Sequence, residues 1–279
     1  MIENMTLRVP DLDRAVAAYH ALGYESALSS QDSAAALALT DEALMGRAHH
    51  SIRMSADPYQ TLTLVQWEGA VPTPFATPGW SAMEVLVKDL DGLFASLPDG
   101  FTVLNPPAAL SFSEQIRAMQ VAGPAGELIY FTEVSGQVPG FALPVAKEHV
   151  NQCFVMINAV SDIDASIGFY AALLECERPT PMPARVSILS RTNGLDEDHR
   201  HAIAPIELGP GQLFELDQWI ERPKPDGSLS CGWHSLSLRM AQSPPHEAGT
   251  ESAAAPAGQR RFIINGLDGE RLEWLCPAN

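Results

Sequence analysis

The segment Val9-Pro-Asp-Leu-Asp13 decides the fold, because its pattern returns twice in the chain. The repeats are Val87-Lys-Asp-Leu-Asp91 and Val160-Ser-Asp-Ile-Asp164, and each follows an apolar run typical of a β-strand. Each is followed by apolar residues at helical spacing. An Asp at the start of a helix accepts hydrogen bonds from free N–H groups and complements the helix dipole. The pattern therefore predicts three strand-to-helix junctions.

Two further repeats extend the duplication. Gly79-Trp80 and Gly232-Trp233 each close a Pro-rich linker and open a strand-like run, while Gly126 and Gly269 each precede a closing strand. Glycine at such turns supplies a backbone with positive φ. The two halves of the chain are therefore expected to be duplicates of one another.

Together the repeats predict four βαβββ modules and an α+β fold with curved mixed sheets. The fourth module contains a segment, residues 243–258, that is rich in Pro, Gly, Ala and Ser. We expect a mobile loop there in place of a helix. The modules span about 1–68, 79–135, 148–220 and 232–277, and the two domains they form are 1–139 and 140–279.

The composition restricts the class of protein. The 279 residues are 46% hydrophobic and 18% charged, as in ordinary globular proteins, and the net charge of −17 argues against nucleic acid as a partner. No apolar run reaches the roughly 18 to 20 residues that span a bilayer, and the first residues do not form a secretory signal. We therefore expect a cytoplasmic protein without a membrane partner, whose four cysteines are reduced.

The repeated pattern resembles the vicinal oxygen chelate superfamily, which includes glyoxalase I, extradiol dioxygenases and bleomycin-binding proteins. The resemblance covers nearly the whole chain and is specific for the fold. It implies that paired modules enclose a pocket in which their first and last strands hold a divalent metal ion. The metal there acts as a Lewis acid or activates oxygen. The fold alone does not fix the reaction, which must be argued from the site.

Carried over to this chain, the resemblance places a metal site in the second half. Gln152, Glu215, His234 and Glu273 occupy the ligand positions, in the order of eukaryotic-type glyoxalase I. Two carboxylates, an imidazole and an amide oxygen suit Zn, Ni, Fe or Mn. The resemblance gives Glu273 the role of catalytic base. His149 remains a competing ligand in place of Gln152.

The first half has neutral residues at the equivalent positions, so its pocket is expected to be free of metal. Side-chain hydroxyls and an amide are a poor ligand set for a divalent ion. The residues concerned are Asn4, Thr63, Ser81 or Ala82, and Tyr130.

Three functions remain open at this stage, all with a small molecule as substrate or ligand. The leading one is a glyoxalase I-like lyase or isomerase that removes a proton from a small α-oxygenated compound with the help of the metal. An extradiol-type dioxygenase is the alternative, and it requires His149 as a ligand. A metal-free binding protein would use an aromatic-lined pocket with Trp67, Trp80, Tyr130 and Phe131. The resemblance is also compatible with a homodimer.

Overall fold

The computed structural model describes residues 1–27, 44, 46–53, 60–110, 113–137, 142–209, 211–219, 231–245, 248–253 and 255–278. These ranges contain four helices and sixteen strands. The helices are α1 (Leu12–Ala21), α2 (Leu90–Ala95), α3 (Ile163–Leu174) and α4 (Ser187–Thr192). The strands are β1 (Ile2–Val9), β2 (Glu25–Ser26), β3 (His49–Arg53), β4 (Thr61–Gln66), β5 (Gly79–Val87), β6 (Thr102–Leu110), β7 (Ser113–Ala122), β8 (Leu128–Val134), β9 (Val150–Val160), β10 (Met182–Arg185), β11 (Arg200–Gly209), β12 (Gln212–Gln218), β13 (Gly232–Arg239), β14 (Thr250–Ser252), β15 (Gln259–Asn265) and β16 (Arg271–Pro277).

The three predicted strand-to-helix junctions are confirmed. β1, β5 and β9 are each followed by a helix whose first N–H groups are capped by the Asp of the repeated pattern. In each case the carboxylate accepts a hydrogen bond from the backbone N–H three residues later, at 2.9 to 3.0 Å. The capping residues are Asp11, Asp89 and Asp162.

The fourth module differs from the other three. No helix follows β13 in the described residues between Arg239 and Thr250, as the composition predicted. However, Thr250–Ser252 form strand β14, which pairs with β15, although we expected a mobile loop throughout 243–258. A short edge strand needs only backbone pairing, which this composition does not prevent. Residues 246, 247 and 254 of the segment lie outside the described ranges.

The four modules pair across the two halves of the chain to make two eight-stranded sheets. Sheet A has the strand order β14-β15-β16-β13-β1-β4-β3-β2 and unites the first and fourth modules. Sheet B has the order β10-β11-β12-β9-β5-β8-β7-β6 and unites the second and third. The halves 1–139 and 140–279 therefore each give one module to each sheet. The pairing of modules within a half, which the sequence analysis assumed, is not observed.

One face of each sheet packs into a core that the two sheets share. Alternate strand residues such as Leu7, Val85 and Leu236 lie in the core with the fully buried Tyr19 and Tyr170 of the helices. Successive side chains on a strand point to opposite faces. The residues between the core residues therefore form what we call the inner face of each sheet.

Sheet B curls around its inner face. Leu110 on the edge strand β6 and Met182 on the opposite edge strand β10 line the same cavity as Glu84 on the central strand β5. A sheet whose two edges meet over one cavity forms a cup with its floor at the central strands. This curl places the inner face of sheet B in position to enclose a ligand.

Two further findings concern the cysteines and the helices. The four cysteines, all in the described ranges, form no disulfide. Among the described residues, no helix has the length and apolar character needed to cross a membrane.

Candidate functional site

Each module places two inner-face residues side by side, one on its first strand and one on its last. These strands are parallel neighbours, so the register fixes the pairs. A ligand held between first and last strands would meet these positions. The pairs are Thr6 with Thr63, Glu84 with Tyr130, Ile157 with Glu215, and Ser237 with Glu273.

The four predicted metal ligands are divided between the two sheets. Gln152 and Glu215 lie on β9 and β12 of sheet B, whereas His234 and Glu273 lie on β13 and β16 of sheet A. The structure does not bring them together, because the third and fourth modules that carry them pair with different modules. His149, the alternative to Gln152, is exposed and precedes β9.

Gln152 and His234 also lie outside the first-strand positions that pair with Glu215 and Glu273. The amide oxygen of Gln152 accepts a hydrogen bond from the neighbouring Asn151 side chain at 2.6 Å. His234 is half-buried at a bulge, where the register between β13 and β1 shifts. The first-strand positions in these modules belong to Ile157 and Ser237.

The inner face of sheet A does not fit a divalent metal ion. Glu273 is buried, and its carboxylate accepts hydrogen bonds from the Arg261 guanidinium at 2.6 Å and from the Ser237 hydroxyl at 3.0 Å. The Nε atom of Arg271 lies 3.7 Å from the same carboxylate. The oxygens of this carboxylate are already engaged by a guanidinium and a hydroxyl, and a dication beside two arginines would be repelled. Glu273 is thus placed for an ion pair.

The neutral residues of sheet A form a hydrogen-bonded cluster of their own. The side-chain oxygen of Asn4 accepts hydrogen bonds from the hydroxyls of Thr61 and Thr63, at 3.0 and 2.8 Å. Ser51 bonds to Thr63 at 3.0 Å. The polar groups of Asn4 and Thr63 are therefore engaged with neighbouring side chains.

The inner face of sheet B carries three carboxyl groups. Glu84 and Glu215 are half-buried and line one cavity, and Asp217 is fully buried two residues after Glu215 on the same face of β12. Thr132 donates a hydrogen bond to Glu84. Among the described residues, none donates a hydrogen bond to either carboxyl oxygen of Asp217. The site therefore holds a surplus of acidic groups.

Burial perturbs the titration of these acids. It raises the pKa of Glu84 to about 8, the charge of Glu215 adds to the shift, and the hydrogen bond from Thr132 opposes it. Burial and the neighbouring Asp217 raise the pKa of Glu215 well above its usual range. Burial also raises the pKa of Asp217, to about 7, and the charge of Glu84 adds to the shift. Neighbouring buried carboxyls do not ionise readily together, so this group of acids favours the protonated form of at least one member.

The phenol of Tyr130 belongs to the same cluster. Burial raises its pKa, and the charges of Asp217, Glu215 and Glu84 raise it further. The phenol therefore stays neutral beside the three acids.

Sequence reasoning found Glu215 but missed Glu84 and Asp217. The signal that would have found Glu84 is the repeated pattern itself, because Thr6, Glu84 and Ile157 each lie three residues before the Val that opens it. Alignment of Gly79-Trp80 with Gly232-Trp233 led to Ser81 or Ala82 instead, because the register between β5 and β9 shifts after Trp80.

The cavity over Glu84 and Glu215 is small and otherwise apolar. Its volume is about 60 Å³, which leaves room for a small head group only. The described lining apart from the two carboxyls consists of Leu110, Ile116, Leu143, Phe154, Val155, Met182, Ile203, Pro205 and Leu213. Within the described part of the chain, no three Asp, Glu, His or Cys side chains are arranged to hold a metal ion as they stand.

Comparisons with known proteins show the fold. No protein-family profile and no curated protein matches the sequence. A glyoxalase I structure from Zea mays matches with a TM-score of 0.58 and 12% identity, over 99% of this chain and 92% of that one. A putative dioxygenase from Bacillus subtilis matches with a TM-score of 0.56 and 10% identity, over 100% of this chain and 85% of that one. The described residues therefore share the fold of these two structures, and the likeness extends over almost the entire chain.

Proposed function

We propose that the protein is a vicinal oxygen chelate enzyme, a lyase or isomerase with its active site in the cup of sheet B. The observation that supports this is the meeting of Glu84, Glu215 and Asp217 on one inner face, without a basic residue in the described lining of their cavity. This proposed site differs from the one predicted from the sequence, and only Glu215 is common to both. The residues predicted from the sequence were Gln152, Glu215, His234 and Glu273.

The donor set fits a hard divalent cation. Carboxylates are the ligands that Mg²⁺ and Mn²⁺ prefer, and several of them would neutralise a double charge. Asp217 is fully buried and receives no hydrogen bond from the part of the chain that the structure describes. Glu84, Glu215 and Asp217 would therefore hold the ion. Such an ion supplies Lewis acidity towards the neighbouring oxygens of an α-oxygenated substrate.

The protein's own residues would bind the head group and move the proton. The apolar lining excludes water and restricts the head group to a few atoms. The Glu84 carboxyl, oriented by the Thr132 hydroxyl, reaches the cavity and can accept a proton from a C–H next to a carbonyl. The same carboxyl can return that proton at a neighbouring atom, while Glu215, which borders the same cavity, would hold the ion.

Metal analysis of protein purified without chelator tests this proposal. We expect a stoichiometric divalent ion in the unmodified protein and a strong loss in both Glu84→Gln and Glu215→Gln. Glu133→Gln is the matched control, because Glu133 lies on β8 of the same sheet but faces away from the cup. Folded variants that retain the ion would contradict the assignment of the ligands. An unmodified protein that takes up no divalent ion would contradict metal dependence.

A metal-free binding protein is the second candidate. It is favoured by the absence, in the described residues, of three side chains already arranged around an ion. In that case the protonated carboxyls would donate hydrogen bonds to a small, mainly apolar ligand. Ligand binding that persists in EDTA and is lost in Glu84→Gln would support this second function.

The dioxygenase alternative is less well supported. It requires two imidazoles beside one carboxylate, and the described lining of the cavity contains carboxylates and no imidazole.

A further inference from the structure

Two imidazole rings converge on one hydroxyl group at the edge of sheet A, next to the end of α1. The Nε2 atom of His50, on β3, lies 2.9 Å from the Oγ atom of Ser26 on β2. The Nε2 atom of His20, in the last turn of α1, lies 3.2 Å from the same oxygen. The centroids of the two rings are 5.9 Å apart. Two nitrogen atoms that are able to bind a metal ion are therefore aimed at one point.

The packing of these elements does not account for the two histidines. In the third module the equivalent positions hold Ala171 and Ala204, counted from the helix caps and from the strand registers. Both alanines are buried. The same helix and strand thus pack against each other without imidazoles in one module, and the first module has gained two.

The imidazole of His50 is held in the form that binds metals. Partial burial lowers its pKa, and the neighbouring His20 and His49 lower it further. A metal ion binds a deprotonated imidazole nitrogen, so a lowered pKa keeps the lone pair available at neutral pH.

The remaining adjustment is small and falls on an exposed side chain. Bonds of about 2.0 to 2.1 Å place two nitrogens on one ion at most about 4 Å apart. His20 is exposed, so its ring can turn from the hydrogen-bonded arrangement to a ligating one. The chain also carries a net charge of −17, which attracts cations to its surface.

This pair lies on the opposite face of sheet A from the cluster of Asn4 and Thr63. Ser51, which follows His50 on β3, bonds to Thr63 on the inner face. Successive side chains on a strand alternate between faces, so His50 points to the side of α1. The pair is therefore separate from the inner face, where a metal ion does not fit.

We infer that His20 and His50 bind a divalent transition-metal ion that prefers nitrogen ligands, such as Zn²⁺, Ni²⁺ or Cu²⁺. The Ser26 hydroxyl and water molecules would occupy the other positions around the ion. Imidazole suits these ions, whereas Mg²⁺ prefers oxygen ligands. The inference does not depend on the function proposed for the cup of sheet B, where carboxylates would hold the ion.

Titration with Cu²⁺, followed by electron paramagnetic resonance, tests the inference, because nitrogen ligands split the Cu²⁺ signal and carboxylates do not. We expect coupling to two imidazole nitrogens in the unmodified protein. His20→Gln and His50→Gln should each weaken this binding at least about tenfold, since even the loss of a group that supports a ligand costs about 10 to 100-fold in affinity.

His199→Gln is the matched control, because it removes one ring of another adjacent pair. The ring centroids of His199 and His201 are 4.9 Å apart, but the Nε2 atom of His201 bonds to the buried Ser190 at 2.8 Å. This variant should bind Cu²⁺ as the unmodified protein does. Loss of the nitrogen coupling in His199→Gln would place the ion elsewhere and overturn the inference.

His20→Gln decides the test even if His50→Gln does not fold, because His20 is exposed and glutamine is a good helix former. Cu²⁺ bound without nitrogen coupling in the unmodified protein would overturn the inference. Unchanged coupling and affinity in folded His20→Gln protein would do the same.

Discussion

Glu273→Gln should destabilise the protein strongly without removing a metal ligand. The Arg261 side chain is 0% exposed and that of Glu273 is 4% exposed, and their Nη2 and Oε1 atoms are 2.6 Å apart. Glutamine keeps the shape but not the charge, so the guanidinium stays buried beside Arg271 without its carboxylate. Breaking a buried pair by removal of one partner costs about 3 to 5 kcal/mol. That is a large share of the roughly 5 to 15 kcal/mol that stabilises a typical protein.

Urea denaturation measures this loss as a lower midpoint, provided that the slope of the transition is unchanged. The double variant Arg261→Met/Glu273→Met leaves no unpaired charge, so it should recover most of the stability. Glu251→Gln, which breaks an exposed pair with Arg260, should leave the midpoint almost unchanged. A loss below about 1 kcal/mol in Glu273→Gln, or a double variant as unstable as the single one, would refute the reasoning.

Two further changes follow from the turns and helix caps. Burial raises the pKa of Glu127 from 4.5 to about 7. Between these pH values the folded protein keeps a proton that the unfolded chain releases. The free energy of unfolding should therefore fall as the pH rises from about 4.5 to about 7. Glu127→Gln should reduce this fall in urea midpoints measured from pH 4 to 8; an unchanged pH profile would count against it. Asp162→Ala removes the acceptor for the N–H of Ala165 and should cost about 1 kcal/mol. Asp164→Ala, in the same first turn but without this bond, should cost less in thermal unfolding, and an equal loss would exclude a capping role.

The sequence predicted the modules because their signals are local. An Asp that caps a helix and a glycine that opens a turn act within a few residues, so Asp89 and Gly126 could be recognised without knowing the tertiary structure. The sequence did not predict which modules share a sheet, because that choice has no local signal. Every module begins with a similar first strand, and backbone hydrogen bonds do not distinguish β13 from β5 as the partner of β1. The choice depends on the packing of side chains far apart in the chain.

The candidate site was predicted only in part for the same reason. Glu215 was found because the repeat between the two halves aligns its position on β12 with that of Thr63 on β4. Glu84 belongs to the other half, and it joins Glu215 only because the second and third modules share a sheet. Asp217 has the neutral Thr132 at its equivalent position in the second module, so no repeat marked it.

The crossing of modules between halves also bears on how this chain assembles. Residues 1–139 alone would leave β1 and β5 without their antiparallel partners β13 and β9, as open edges able to pair with another chain. Two copies of such a half could complete each other by reciprocal exchange, as in a domain-swapped dimer. The covalent connection near residue 140 gives the two halves a high effective concentration for one another, which favours closure within one molecule. The arrangement that two separate halves would reach only by exchange is thereby formed within a single polypeptide.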